Sequence, residues 1–177
     1  ELKEWYQKLL DEYHKWLSYQ KKWKEERNHS LQSLEFPFSY REGQRKMVSS
    51  VYHTIGASRQ IFIQAPTGVG KTMSTIFPAV RAVGEGKGET IFYLTAKTIT
   101  RTVAQEAFEV LREKGMKYKV VTITAKEKLC FMDETKCDPV HCPYARGHFD
   151  RVNDAVYELW TTKSRYDRET IREQAEK

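Results

Sequence analysis

The segment A-P-T-G-V-G-K-T at Ala65–Thr72 constrains this chain more than any other stretch. It has the spacing of a phosphate-gripping loop, with alanine where the first glycine usually stands. Gly68 and Gly70 lack a Cβ, so the N–H groups of Thr67–Thr72, Val69 among them, can turn inward around phosphate oxygens. Lys71 offers a point charge to the β- and γ-phosphates, and the Thr72 hydroxyl a ligand to Mg²⁺. The flanks suit that mechanism. Gln60–Gln64 (Q-I-F-I-Q) reads as an apolar strand. Thr72–Val83 reads as a helix with Met73, Ile76, Phe77, Val80 and Val83 inward, and with a kink expected at Pro78.

A strand-turn-helix rhythm continues from there. Thr90–Thr95 (T-I-F-Y-L-T) predicts a second strand, Ile99–Lys114 a helix ending at Gly115, and Lys119–Thr124 (K-V-V-T-I-T) a third strand. The fold class expected is α/β, a P-loop parallel sheet with helices on both faces. Upstream, Leu2, Trp5, Leu9, Tyr13, Trp16 and Trp23 recur at helical spacing, predicting a long aromatic helix to about Arg27, with polar Asn28–Ser33 breaking it. That stripe is expected to pack on a neighbouring domain; base stacking by the tryptophans is the other reading. The division expected is 1–33 aromatic helix and connector, 34–125 nucleotide-binding domain, and 126–177 a cysteine-bearing segment with a following helix.

Forty per cent hydrophobic and 31% charged residues make a globular chain, and a net charge of +6 permits a polyanionic partner without demanding one. No apolar run approaches the roughly 20 residues of a membrane span, and the N-terminus lacks the apolar core of a signal peptide. A cytoplasmic, reducing setting without a membrane partner is expected. The sequence begins at Glu1 and stops at Lys177 in a polar, helix-like stretch, and so reads as a piece of something longer.

Further features narrow the class of P-loop protein. Arg41 and Gln44 form an R-x-x-Q arrangement after the extended Phe36-Pro37-Phe38, and a glutamine amide can both donate to and accept from an adenine edge. A glutamine merely at the surface is the plain alternative. Thr95, Lys97 and Thr98, at the end of the second strand, could hold a nucleic-acid phosphate by charge and backbone donors. Cys130-x₆-Cys137-x₄-Cys142-Pro143 crowds three thiols into a loop-like stretch. Soft thiolates this close suit an iron–sulfur cluster or zinc, with His141 or His148 able to complete a zinc site; three unligated thiols are the bland reading. Asp133-Glu134 mimics the end of an acidic motor strand but lacks β-branched residues before it.

Taken together, F-P-F-S-Y-R-E-G-Q, Q-A-P-T-G-V-G-K-T, Y-L-T-A-K-T and the cysteine trio resemble the XPD/DinG-type iron–sulfur DNA helicases of superfamily 2, over Phe36 to Tyr144. The resemblance implies ATP and Mg²⁺ as cofactors. It puts Tyr40, Arg41 and Gln44 on the adenine side and Thr67, Gly68, Val69, Gly70, Lys71 and Thr72 around the triphosphate, with Lys71 and Thr72 catalytic. Thr95, Lys97 and Thr98 would lie on DNA. Cys130, Cys137 and Cys142 would be three ligands of a [4Fe–4S] cluster, with a fourth cysteine beyond Lys177. It also implies ATP-driven translocation on single-stranded DNA, 5′ to 3′ polarity, unwinding at duplex/single-strand junctions, and a role in DNA repair. The remaining helicase domains, and an N-terminal nuclease domain in some bacterial members, would be partners outside these residues. A D-E-A-H acid box and a second motor domain are not found here, so these residues alone are expected to be inactive.

Overall fold

The computed structural model describes residues 1–177, which fold as two compact units, 1–118 and 119–177. The first unit is helical: α1 (Leu2–Gln32), α2 (Gln44–Gly56), α3 (Lys71–Gly84) and α4 (Thr98–Glu113). The second holds β1 (Val120–Val121), α5 (Lys126–Leu129), α6 (His148–Thr162), β2 (Arg165–Tyr166) and α7 (Arg168–Ala175).

In the first unit α3 is the central element, packed by α1, α2 and α4. Its apolar positions fall three and four apart, so Met73, Ile76, Phe77, Val80 and Val83 are buried, as their spacing predicts. Against them lie Met47, Val48 and Val51 of α2, Ala104, Ala107, Phe108 and Leu111 of α4, and Leu31 of α1. Burying a side chain of this size contributes roughly 1.5–3 kcal/mol, so these contacts dominate the stability of the unit. Pro78 cannot donate to the carbonyl one turn back, yet α3 runs through it as one helix.

Helices α1 and α3 approach closely at Gly84. A Cβ there would lie 2.6 Å from the Leu31 Cβ and 3.1 Å from the Gln32 nitrogen. Around that contact Gln32 Nε2 donates to the Gly84 carbonyl at 2.7 Å, and the Arg81 guanidinium donates to the carbonyls of Gln32 and Leu34. These bonds explain a difference from the sequence reading: α1 does not end near Arg27 but continues through polar Asn28–Gln32, because Leu31 and Gln32 find partners on α3. Tertiary contact overrides weak local preference. A second tie joins α2 to the end of α3. Tyr52 donates to Glu85, Lys87 donates to both, and the Lys87 ammonium sits 4.0 Å from the Tyr52 ring centroid. The Tyr52 hydrogen bond, then that of Lys87, holds the Glu85 carboxyl below its ordinary range.

The expected parallel sheet with helices on both faces is not formed. The chain has a single two-stranded parallel sheet, pairing Val120 with Arg165 and Val121 with Tyr166. Gln60–Gln64 and Thr90–Thr95 join no ladder, and of Lys119–Thr124 only two residues do. The physical reason is visible in their side chains. Buried parallel strands need neighbours on both edges and cover on both faces. Here Phe62 is 96% exposed, and Phe92, Leu94 and Ile123 are exposed as well.

In the second unit β2 and α6 are organised around Lys119. Its Nζ donates to the Trp160 and Lys163 carbonyls and to the Tyr166 hydroxyl, and lies 4.7 Å from the centroid of the Trp160 ring, which stacks on Tyr166. Burial pulls the Lys119 ammonium down to about 8. Asp167 caps α7 by accepting from the Thr170 N–H at 3.0 Å. No helix is long and apolar enough to cross a membrane.

Candidate nucleotide-binding site

The loop at Ala65–Thr72 ends where α3 begins. Gly68 and Gly70 have φ of +82° and +75°, a left-handed geometry that costs an L-residue roughly 1–2 kcal/mol. Gly70 is the residue preceding α3, so the free N–H groups of the first helical turn stand next to the loop, where a phosphate can accept from them. Lys71, the first residue of α3, is exposed and its Nζ donates to the Ala65 and Pro66 carbonyls at 2.9 and 2.6 Å. The ammonium therefore lies across the loop it is expected to serve. Thr72 is half-buried one residue further on. Ser74, fully buried, donates its hydroxyl to the Gly70 carbonyl at 2.9 Å and fixes the start of the helix.

The segment Phe36–Gln44 is locked to this loop. Phe36 stacks on Tyr40 at 4.3 Å between centroids and meets Phe77 of α3 edge-on at 5.3 Å. Arg41 donates from its guanidinium to the Gly68 carbonyl, and its backbone N–H donates to Gln44 Oε1 at 3.0 Å. Gln44 is 4% exposed, and a Cβ on Gly70 would fall 2.5 Å from its Nε2. Gln44 is thus not a surface glutamine. Its amide is wedged between Arg41 and Gly70, a coupling that sequence spacing did not reveal, since 26 residues separate the two positions.

Thr95, Lys97 and Thr98 come together at the start of α4. Lys97 precedes the first turn in extended conformation, Thr95 donates its hydroxyl to the Lys97 carbonyl at 3.1 Å, and Lys97 and Thr98 are exposed. Charge and free helix N–H groups share one surface there.

The cysteines are not brought together. Cys142 is buried at a turn, where its N–H donates to the Asp138 carbonyl; Cys130 is half-buried and Cys137 exposed. Lys126 is held above its ordinary value first by its hydrogen bond with the Cys137 sulfur. His141 is engaged with Asp138 at 2.8 Å. No three Cys, His, Asp or Glu side chains converge as a metal-holding group. This arrangement does not fit the [4Fe–4S] cluster or the zinc that the spacing suggested, because a thiolate site needs its donors around one point. Instead Phe131 stacks on Tyr144 at 4.5 Å with the Arg172 guanidinium 4.3 Å from the Phe131 ring, and that contact organises the segment. Asp133-Glu134 lies in bends, with Glu134 paired to Lys136.

A left-handed glycine pair, a lysine across the loop and a helix starting beneath it define a nucleotide-binding protein of the P-loop kind. Comparison with known proteins makes this narrower. The DEAD/DEAH box helicase family model matches residues 41–144, and the chain belongs to that family. The family carries the P-loop fold and nucleotide binding with it, and ATP with Mg²⁺ is consistent with it. The chain is 29% identical over 123 residues to a probable ATP-dependent helicase of Methanocaldococcus jannaschii, covering 67% of this chain and 18% of that protein. The chain therefore spans less than a fifth of that relative's length. No solved structure matches it.

Proposed function

We propose that this chain is the ATP-binding part of a DNA helicase of the XPD/DinG type, coupling nucleotide turnover to movement along single-stranded DNA. The carrying observation is the loop itself, with Lys71 lying across it and Gly68 and Gly70 in left-handed geometry, which suits a loop whose N–H groups turn inward. In this reading Lys71 leaves the Ala65 and Pro66 carbonyls for the β- and γ-phosphates, Thr72 ligates Mg²⁺, and the N–H groups of Thr67, Gly68, Val69 and Gly70 line the phosphates. Tyr40, Arg41 and Gln44 form the adenine side, supported by the stacking of Tyr40 on Phe36 and by the contact of Arg41 with the loop. Thr95, Lys97 and Thr98 take a DNA phosphate, a role supported by their exposure at a helix start. Residues 34–118 then hold the motor segment, while 119–125, grouped with it in the sequence reading, fold with 126–177 through the pairing of β1 with β2. The 5′ to 3′ polarity, a preference for junctions and a role in repair rest on the motif resemblance alone, and the cluster is not carried into the proposal.

The test is Lys71→Ala in the longer protein that contains this chain. Loss of the charge facing the phosphates should abolish ATP-dependent unwinding while single-strand binding persists. Unwinding at the unsubstituted rate would remove Lys71, and with it the site.

A further inference from the structure

One aromatic face close to the phosphate loop is left open. Tyr40 stacks on Phe36 within 11° of parallel and 4.3 Å between centroids, yet is 43% exposed. The guanidinium carbon of Arg45 overhangs the Tyr40 ring, 6.0 Å from its centroid. Phe36 already fills one face of that ring, so Arg45 stands off the other. Each of the two residues adjoins one that touches the loop. Arg41, next to Tyr40, donates to the Gly68 carbonyl, and Gln44, next to Arg45, has its Nε2 where a Cβ on Gly70 would come within 2.5 Å. The Arg41 guanidinium is thereby committed to the loop, whereas that of Arg45 is exposed and faces the ring.

The spacing says what the pair can take. Carbon atoms in contact stand about 3.5–4 Å apart, so Arg45 at 6.0 Å is beyond contact with the ring. A flat base between ring and guanidinium fills roughly 7 Å, two contact distances. An exposed side chain therefore has to withdraw by only about 1 Å, within the reach of fast rotamer motion. Both walls suit a base met face-on. An aromatic ring stacks on any base, and the planar guanidinium stacks on a π-face where a lysine ammonium does not.

We propose that Arg45 is a base-clamping residue of the nucleotide site, the purine entering between the Tyr40 ring and the Arg45 guanidinium. The proposal rests on the reading of Ala65–Thr72 as a phosphate loop and adds to it a contact blind to base edges, so that adenine and guanine gain alike.

The test is calorimetric titration of the 1–177 chain with ATP, GTP and inorganic triphosphate, all with Mg²⁺, and with circular dichroism to show that each variant is folded. Arg45→Ala should weaken ATP and GTP by a similar factor, about 3- to 10-fold, and leave triphosphate unchanged. Tyr40→Leu should do the same, and the double variant should lose less than the product of the two. Arg45→Lys keeps the charge without the plane and should bind as weakly as Arg45→Ala. An Arg45→Lys chain with unsubstituted affinity for ATP would overturn the clamp, reducing Arg45 to a charge. Equal loss of triphosphate and ATP in Arg45→Ala would also overturn it, placing Arg45 on the phosphates. Triphosphate bound as tightly as ATP by the unsubstituted chain would remove the clamp and leave the loop standing. A chain that binds neither would remove both.

Discussion

At the scale of single residues, the phosphate loop and the segment before it depend on one crowded contact. Gly70 serves two needs at once: a φ of +75° and room for the Gln44 amide, which a Cβ would approach to 2.5 Å. Gly70→Ala should therefore abolish nucleotide binding, and Gln44→Ala in the same chain should relieve the clash without restoring binding, because the left-handed backbone is still demanded. Titration with a fluorescent ATP analogue checks both; full affinity in the double variant would mean that crowding alone mattered. Gln44→Ala by itself is expected to weaken ATP and GTP together by loosening the loop, and ATP the more strongly because an adenine contact is also lost. Equal weakening would leave Gln44 with the loop-holding task only. The loop itself was legible in the sequence, because its chemistry follows from residue type at fixed spacing. The Gln44–Gly70 contact was not, since it depends on how α2 and α3 pack.

Among the elements, α3 carries the packing, and its terminus sets the position of α1. Gly84→Ala forces a methyl to within 2.6 Å of the Leu31 Cβ and should destabilise the first unit by about 1–3 kcal/mol in urea unfolding. A change below about 0.5 kcal/mol would show that α1 moves freely aside. In the second unit, Lys119 has a folded pKa of about 8 against an ordinary value of 10.5, lowered by burial. Between those values the unfolded chain holds the proton that the folded one has released, so stability rises with pH there and gains nothing from this group below 8. Thermal unfolding followed from pH 8 to 10 should show that rise, and Lys119→Met should flatten it. A chain that loses stability over that range, with and without Lys119, would contradict the assignment. Helices α3 and α4 were legible to within a residue at each end, because their apolar faces repeat at helical spacing over three or more turns. The strands were not. T-I-F-Y-L-T and Q-I-F-I-Q have strand composition, but a ladder needs a partner, and only Val120–Val121 meets one, in an Arg165–Tyr166 pair too short to announce itself.

For the whole molecule, family membership and composition pull in different directions. The chain belongs to the DEAD/DEAH box helicases, yet no Asp-Glu-Ala-Asp or Asp-Glu-Ala-His stands among its 177 residues. Residues 1–177 are accordingly expected to bind ATP without DNA-stimulated turnover. Phosphate release measured with and without single-stranded DNA tests this, and robust stimulated turnover would mean that Asp133-Glu134, or another acid of the chain, activates water. The exposed side chains of the ladderless segments have a separate consequence, for colloidal behaviour. Phe62, Leu94 and Ile123 are exposed on segments of strand composition that join no ladder, the kind of surface on which copies can add to one another. A net charge of +6 opposes that contact while ions are scarce. Near 0.1 M salt, repulsion beyond about 10 Å is screened and the opposition fades. Clouding should thus set in as ionic strength rises, and a solution kept dilute in salt should stay clear longest.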